Sequence, residues 1–239
     1  MPKVTDTYLT ERRAFILECT NEVLKEKPLY QVSMRDIIKR AGFSQGAIYR
    51  YYANIDEIYV DLINKNTTYN LLEQEIDSLL GSEQEEKSIL YNCIIAIGKY
   101  IEELLKTVGG KTCFEFLLFY AYDNEKRNTI FPHLKFKQSL AYAQNKIVDY
   151  ITKKIENETL HPSISMNSMI IFISVSIDGI AQNVAMHTLE EYQQDKEGSI
   201  NCLEMFQTLA KAVINFFEEK PEVLESTRKI CNEKTNKSI

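Results

Sequence analysis

A chain of 239 residues that is 44% hydrophobic can bury a core and holds one or two domains. Eight Gly and five Pro are few, which favours long helices over a turn-rich sheet. The net charge of −6 argues against nucleic acid only at first sight, because residues 1–52 hold 9 Lys+Arg against 6 Asp+Glu, a local +3 that leaves −9 for the rest.

The first nine residues read as a short arm carrying Lys3. Helical spacing of Phe15, Ile16, Cys19, Val23 and Leu24 predicts a first helix over 10–27, capped by Thr10 and stopped by Pro28. Its role is to brace the next two helices, with Arg12 and Arg13 in reach of phosphates. Those two helices form a tight pair. Ser33 is an N-cap, Asp36 three residues on completes a capping box, and Ile37, Ile38 and Ala41 form an apolar stripe. Gly42 stands where a helix C-cap needs positive φ. Ser44 caps the second of the pair, over 45–51.

That second helix has two unlike faces. Ile48 and Tyr52, four apart, point inward together. Gly46 and Arg50 point the other way, flanked by Ala47 and Tyr49, with Gln45 nearby. Small residues allow a helix to come close to a surface. Arg pairs bidentately with guanine, Gln with adenine, and Ala touches the thymine methyl. Hydroxyls and helix N-termini suit phosphate oxygens. The pattern is that of a helix-turn-helix recognition helix. Gln45, Gly46, Ala47, Tyr49 and Arg50 are therefore expected near bases, and Ser33, Arg35, Ser44, Tyr49 and Tyr51 near phosphates.

The run AGFSQGAIYRYYANIDEIY resembles the DNA-binding signature of TetR-family transcriptional regulators, through Ala41, Gly42, Ser44, Ala47, Ile48, Tyr49, Tyr52 and Asn54. The resemblance covers about the first quarter of the chain. It departs at Ile55, where the family often places a phosphate-contacting Lys, leaving Asn54 or the helix N-terminus to take that contact.

Asn54 caps an expected long fourth helix over 55–80, a lever between head and body. Further helices are expected over 85–106, 111–123, 132–158, 166–189 and 200–219, with a polar loop at 124–128, a break at His161-Pro162-Ser163 and a short last helix over 222–231. No strand pattern is evident. The expected architecture is all-α: a three-helix helix-turn-helix DNA-binding domain (1–54) followed by a larger helical effector-binding and dimerisation bundle (55–239).

The helix over 166–189 is apolar almost all round, and the one over 200–219 nearly so, as expected of helices buried on more than one side. TetR-like proteins dimerise through two such helices per chain. Ile173, Ile177, Ile180, Phe206, Val213 and Phe217 are the interface candidates. A two-fold dimer would place two recognition helices on a palindromic site. Aromatic residues crowd the sixth and seventh helices, so Phe114, Phe119, Tyr122 and Phe131, with Asp178 and Asn183 as polar partners, are the candidate lining of a small-molecule site.

Cys19, Cys93, Cys113, Cys202 and Cys231 show no Cys-x-x-Cys or Cys/His spacing, so neither structural zinc nor another metal or cofactor is expected, and ordinary buried thiols of a reducing cytoplasm are. No N-terminal signal peptide is evident, and residues 164–189 carry too many polar groups for a membrane span. An enzyme on a helical bundle finds little support. One Glu-x-x-His, Glu158 to His161, sits at a helix end, and there is no Walker loop or nucleophile elbow. The remaining alternative is a DNA-binding regulator whose body docks a protein partner. The expected function is a dimeric, cytoplasmic, effector-released repressor.

Overall fold

The computed structural model describes residues 6–65, 71–106, 108–121, 123–186 and 201–218. It is all-α, as expected. Among the described residues eleven helices occur, in order: α1 (Asp6–Glu26), α2 (Met34–Ala41), α3 (Gln45–Ile48), α4 (Ile55–Lys65), α5 (Leu71–Leu80), α6 (Glu86–Lys106), α7 (Val108–Phe119), α8 (Asn124–Ile130), α9 (Lys135–Glu156), α10 (Met166–Met186) and α11 (Cys202–Ile214). Short 3-10 turns occupy Leu29–Gln31 and Phe131–His133. A two-residue antiparallel pairing of His161 and Pro162 with Glu218 and Phe217 ties the start of α10 to the end of α11.

Several element ends differ from expectation for local reasons. α1 begins at Asp6, so Thr10 lies inside it and not at its N-cap position. α7 begins at Val108, which takes Gly109 and Gly110 into its first turn. The polar run 124–128 is helical, not a loop, because Asp123 caps it by accepting from the Lys126 amide at 2.9 Å. The fourth helix is described as two, α4 and α5, with residues 66–70 between them outside the described set, as is the helix expected over 222–231.

Three apolar clusters organise head, body and junction. In the head, Ile16, Val23, Ile37, Ile48 and Tyr52 pack with Ile58 and Leu62 of α4. In the body, α5, α6, α9, α10 and α11 share a core built on Ile76, Cys93, Ile97 and Phe206. Here α6 and α11 pack so closely that a Cβ on Gly98 would lie 2.5 Å from the Phe206 ring. Between head and body, Tyr59 and Ile63 of α4 pack on Phe116 of α7 and Phe136 of α9. Helix α4 thus puts Ile58 and Leu62 into the head core and Tyr59 and Ile63 into the junction. A division at residue 54 separates the head from side chains that complete it.

Candidate functional site

The head is built as a braced pair of helices. Ser33 and Asp36 form the expected capping box at the start of α2, with the Ser33 amide donating to Asp36 at 3.0 Å and the Asp36 amide donating to the Ser33 hydroxyl at 3.3 Å. Lys27 reaches Asp36 at 2.6 Å from the end of α1. The Lys27 ammonium, followed by the Ser33 hydrogen bonds, holds the Asp36 carboxyl well below the usual carboxylate range. Gly42 ends α2 at φ 66°, the left-handed conformation expected of it. Arg40 clamps α2 to α1 through Glu22 at 3.0 Å and Glu26 at 2.5 Å.

The recognition segment is shorter as regular helix than expected. α3 covers Gln45–Ile48, and tighter turns carry the chain on, with the Tyr51 amide donating to the Ile48 carbonyl at 2.8 Å. Ser44 occupies the N-cap position in extended conformation, but its side chain makes no capping hydrogen bond. The inward face is anchored hard. Ile48 is fully buried, Tyr52 nearly so, and the Tyr52 hydroxyl donates to Asp61 at 2.9 Å. Burial and then that bond push the Tyr52 phenol well above its usual range, so it stays protonated. The opposite face is open: Ser44, Gln45, Gly46, Tyr49 and Arg50 are exposed, Ala47 and Tyr51 half-buried, and a Cβ on Gly46 would meet nothing within 4 Å. Arg35 on α2 is exposed too, and neither Arg35 nor Arg50 makes an ion pair among the described residues.

Other expected phosphate contacts are already engaged. The Ser33 hydroxyl is held by Asp36 at 2.7 Å. Arg13 donates to the Tyr51 carbonyl at 3.0 Å, lies 3.7 Å from Asp61 and stacks over Tyr52, so it braces the recognition segment from behind. Arg12 lies over the rings of Tyr8 and Phe43. At the start of α4, Asn54 accepts from the Glu57 amide at 3.0 Å while Glu57 accepts from the Ala53 amide at 2.8 Å. That reciprocal cap, with Asp56 and Glu57 in the first turn, opposes an anion there.

The head-to-body junction carries a buried polar knot that sequence reading missed. Asp56 accepts hydrogen bonds from the Tyr120 hydroxyl and the Lys126 ammonium. Burial and the Asp56 bond raise the Tyr120 phenol, and the same carboxylate raises Lys126, which keeps both protonated. Asn64 adds a second tie by donating to the His133 carbonyl at 2.9 Å and accepting from the Lys135 amide at 2.9 Å. These partners lie about seventy residues apart, and no local pattern announces them.

Of the aromatic candidates, Phe131 and Phe119 do not line the body's apolar cavity. Phe131 packs against Phe116 at the junction, and Phe119 is 52% exposed against Tyr120. Tyr122 and the Phe114 side chain lie outside the described residues. Asn183 is exposed and bonds the Gly179 carbonyl of its own helix. Of the six, Asp178 reaches the cavity. It has a volume of about 260 Å³ and lies among α6, α9, α10 and Val213 of α11, with an aliphatic lining.

The dimer candidates divide similarly. Phe206, Val213 and Phe217 are buried in the protomer's own core and have no surface for a second copy. Ile177 and Ile173 line the cavity, and Ile180 packs on the body core. The exposed side of α10 is instead Ile171, Phe172 and Val175, the last 66% exposed. The four described thiols are buried and unpaired by disulfides. Desolvation raises all four, Cys93 and Cys202 to about 12, so they sit as thiols and not as reactive thiolates. Among the described residues no group of three or more His, Cys, Asp or Glu could hold a metal ion.

Residues 16–62 match the family described as bacterial regulatory proteins, tetR family. The chain is 26% identical over 212 residues to YfiR, an uncharacterized HTH-type transcriptional regulator of Bacillus subtilis (strain 168), covering 86% of this chain and 94% of that protein. Its fold is similar to the ketosteroid transcriptional regulator KstR2 of Mycobacterium tuberculosis (TM-score 0.55, 16% identity, 87% of this chain and 96% of that one). It is also similar to Thermus thermophilus FadR, a TetR-family repressor solved in complex with lauroyl-CoA (TM-score 0.53, 16% identity, 87% and 97%).

Proposed function

Because the chain is a TetR-family DNA-binding transcriptional regulator with an N-terminal helix-turn-helix domain, we propose that it works as a homodimeric repressor whose two heads read a palindromic operator and are released by a small molecule bound in the body. The observation that carries the reading is the two-sided recognition segment. Ile48 and Tyr52 lock one side into the head core, while Gln45, Gly46, Tyr49 and Arg50 stand exposed on the other with Ala47 half-buried beside them. Gly46 and Ala47 let the segment enter a major groove, where Arg50 and Gln45 have the donors to pair with guanine and adenine. Ser44, Tyr51 and Arg35 flank that face as phosphate contacts, and Ser33 serves through its capping of α2.

The dimer reading draws on α10. Its exposed stripe of Ile171, Phe172 and Val175 is unsuited to water, and Met205 of α11 is exposed as well. A Cβ on Gly179 would meet nothing within 4 Å, so a second copy's helix has room to approach there. Residues Met166–Ala185 have the length and apolarity of a membrane span, yet Asp178, Gln182 and Asn183 stand exposed on that helix, which suits a water-flanked helix–helix contact better than lipid. Effector release draws on the body cavity, on the lauroyl-CoA held by the FadR relative, and on α4, which shares its side chains between head and junction. Such a molecule shifts the heads only by binding the released state more tightly than the DNA-bound one. TetR-family regulators are not enzymes, and here Glu158 lies in a turn at φ 57° while His161 pairs with Glu218.

The test is fluorescence anisotropy on duplexes selected by the protein from a random pool. Arg50→Ala with Tyr49→Ala abolishes selective binding, and Ile171→Glu with Val175→Glu gives a monomer by sedimentation that no longer holds the duplex. Unchanged affinity in the first variant, or an unchanged dimer in the second, refutes the corresponding half.

A further inference from the structure

Resting on the reading of the body cavity as the effector site, we infer that its ligand is an amphiphile with an unbranched aliphatic chain of roughly ten carbons and an anionic end group set against Lys137. Among the described residues no aromatic ring lines the cavity, although the chain is 10% aromatic. Flat ring ligands would find no stacking partner, whereas Leu, Ile, Val and Met walls suit a flexible chain, the thioethers adapting to its shape. An apolar cavity of about 150 Å³ accepts the six carbons of benzene. Scaling to 260 Å³ gives room for about ten.

Polarity along the cavity is directional. α9 and α10 run antiparallel, since Ile151 near the end of α9 clusters with Met169 near the start of α10. The end formed by Ile151, Met169 and Leu90 is wholly apolar. At the opposite end stand Lys137 from the start of α9 and Asp178 from far along α10, with Gln144 and Ser174 between the ends. Lys137 is half-buried, lies 6.0 Å from the centre of the Phe131 ring, and has no carboxylate within ion-pair distance among the described residues. Asp178, by contrast, is exposed and carries the opposite charge, so it repels an anion from its own side of the mouth and leaves the Lys137 side to receive it. The unpaired cation is the anchor for the head group, and chain burial drives entry.

Calorimetric titration of the full-length protein with decanoate, decanoyl-CoA, decanol, decylamine and naphthalene tests this. Decanoate is expected to bind at least tenfold tighter than decanol, decylamine or naphthalene; decanoyl-CoA, whose chain ends in a neutral thioester carbonyl with its phosphates beyond the pantetheine arm, gains that advantage only if a phosphate reaches Lys137. The comparison of the two acyl probes identifies the free acid or the thioester as the source. Lys137→Gln is expected to remove most of that tenfold advantage while leaving decanol binding and the melting temperature unchanged. Ile170→Phe, in the apolar half, shifts the preferred chain from ten carbons toward eight. Tighter binding of decylamine or naphthalene, no acyl binding, or a Lys137→Gln variant that keeps the full advantage overturns the assignment. Anisotropy on the selected duplex separates the two readings: an acyl probe that binds without loosening the DNA complex defeats effector release and spares the ligand class, whereas DNA binding with no acyl affinity does the reverse.

Discussion

Gly46 in the head and Gly98 in the body are both helical glycines, and they do opposite work. At Gly98 the α6–α11 contact leaves no room for a methyl group, because Phe206 carbons stand at 2.5, 2.7 and 2.9 Å from where a Cβ would be. At Gly46 there is open space. One glycine lets two helices of the same protomer touch; the other keeps a surface low, so that something outside the protomer can touch it. The body is held together by such closeness, while the recognition segment is held only from behind, by Ile48, Tyr52 and Arg13. Mutations should therefore separate into those that unfold the protein and those that silence it.

The largest expected effect is on the body side. Phe206→Ala empties a fully buried ring site and should cost about 3–5 kcal/mol in a urea melt, with DNA affinity of the folded fraction preserved. Gly98→Ala, a gain of one methyl, should still cost about 1–3 kcal/mol, since Phe206 must shift to admit it. A neutral Gly98→Ala would break the contrast outright. On the head side, Arg50→Ala should leave the melting temperature in place and weaken selective DNA binding by about 1–3 kcal/mol, measured by anisotropy against a competitor duplex. Gly46→Leu sharpens the point: the fold accommodates it, and the groove does not. The smallest effect is a pH dependence. Asp36 is held below its ordinary range in the folded head, so its contribution is complete above its unfolded value near about pH 4 and is lost as the pH falls from there toward the folded value. The stability gap between the native chain and Asp36→Asn should be widest at neutral pH and narrow in acid melts.

The head was nearly readable because its signals are local. Ser33 and Asp36, Gly42, and the Ile48/Tyr52 pair act over one or two turns, and each stands where the residue pattern placed it. The body resisted for the converse reason. Its aromatic residues were grouped by where they fall in the chain, yet Phe116 and Phe136 seal the junction and the cavity is lined mainly by aliphatic faces of α6, α9 and α10. Phe206 and Phe217 looked like interface residues because an apolar stripe looks the same whether its partner is another helix of the protomer or of a second copy.

The order of residues alone was sufficient for the helical class, for the helix-turn-helix with both caps of α2, and for which side of the recognition segment faces out, since helical periodicity and end-capping depend on neighbours a few positions apart. Only the packed structure assigned Gly98 to Phe206, Asp56 to Tyr120 and Lys126, and the cavity to Lys137 and Asp178. Those assignments join residues distant along the chain. They arise from how whole helices settle against one another, and in that competition many near-equal apolar surfaces differ only in the fit of their side chains.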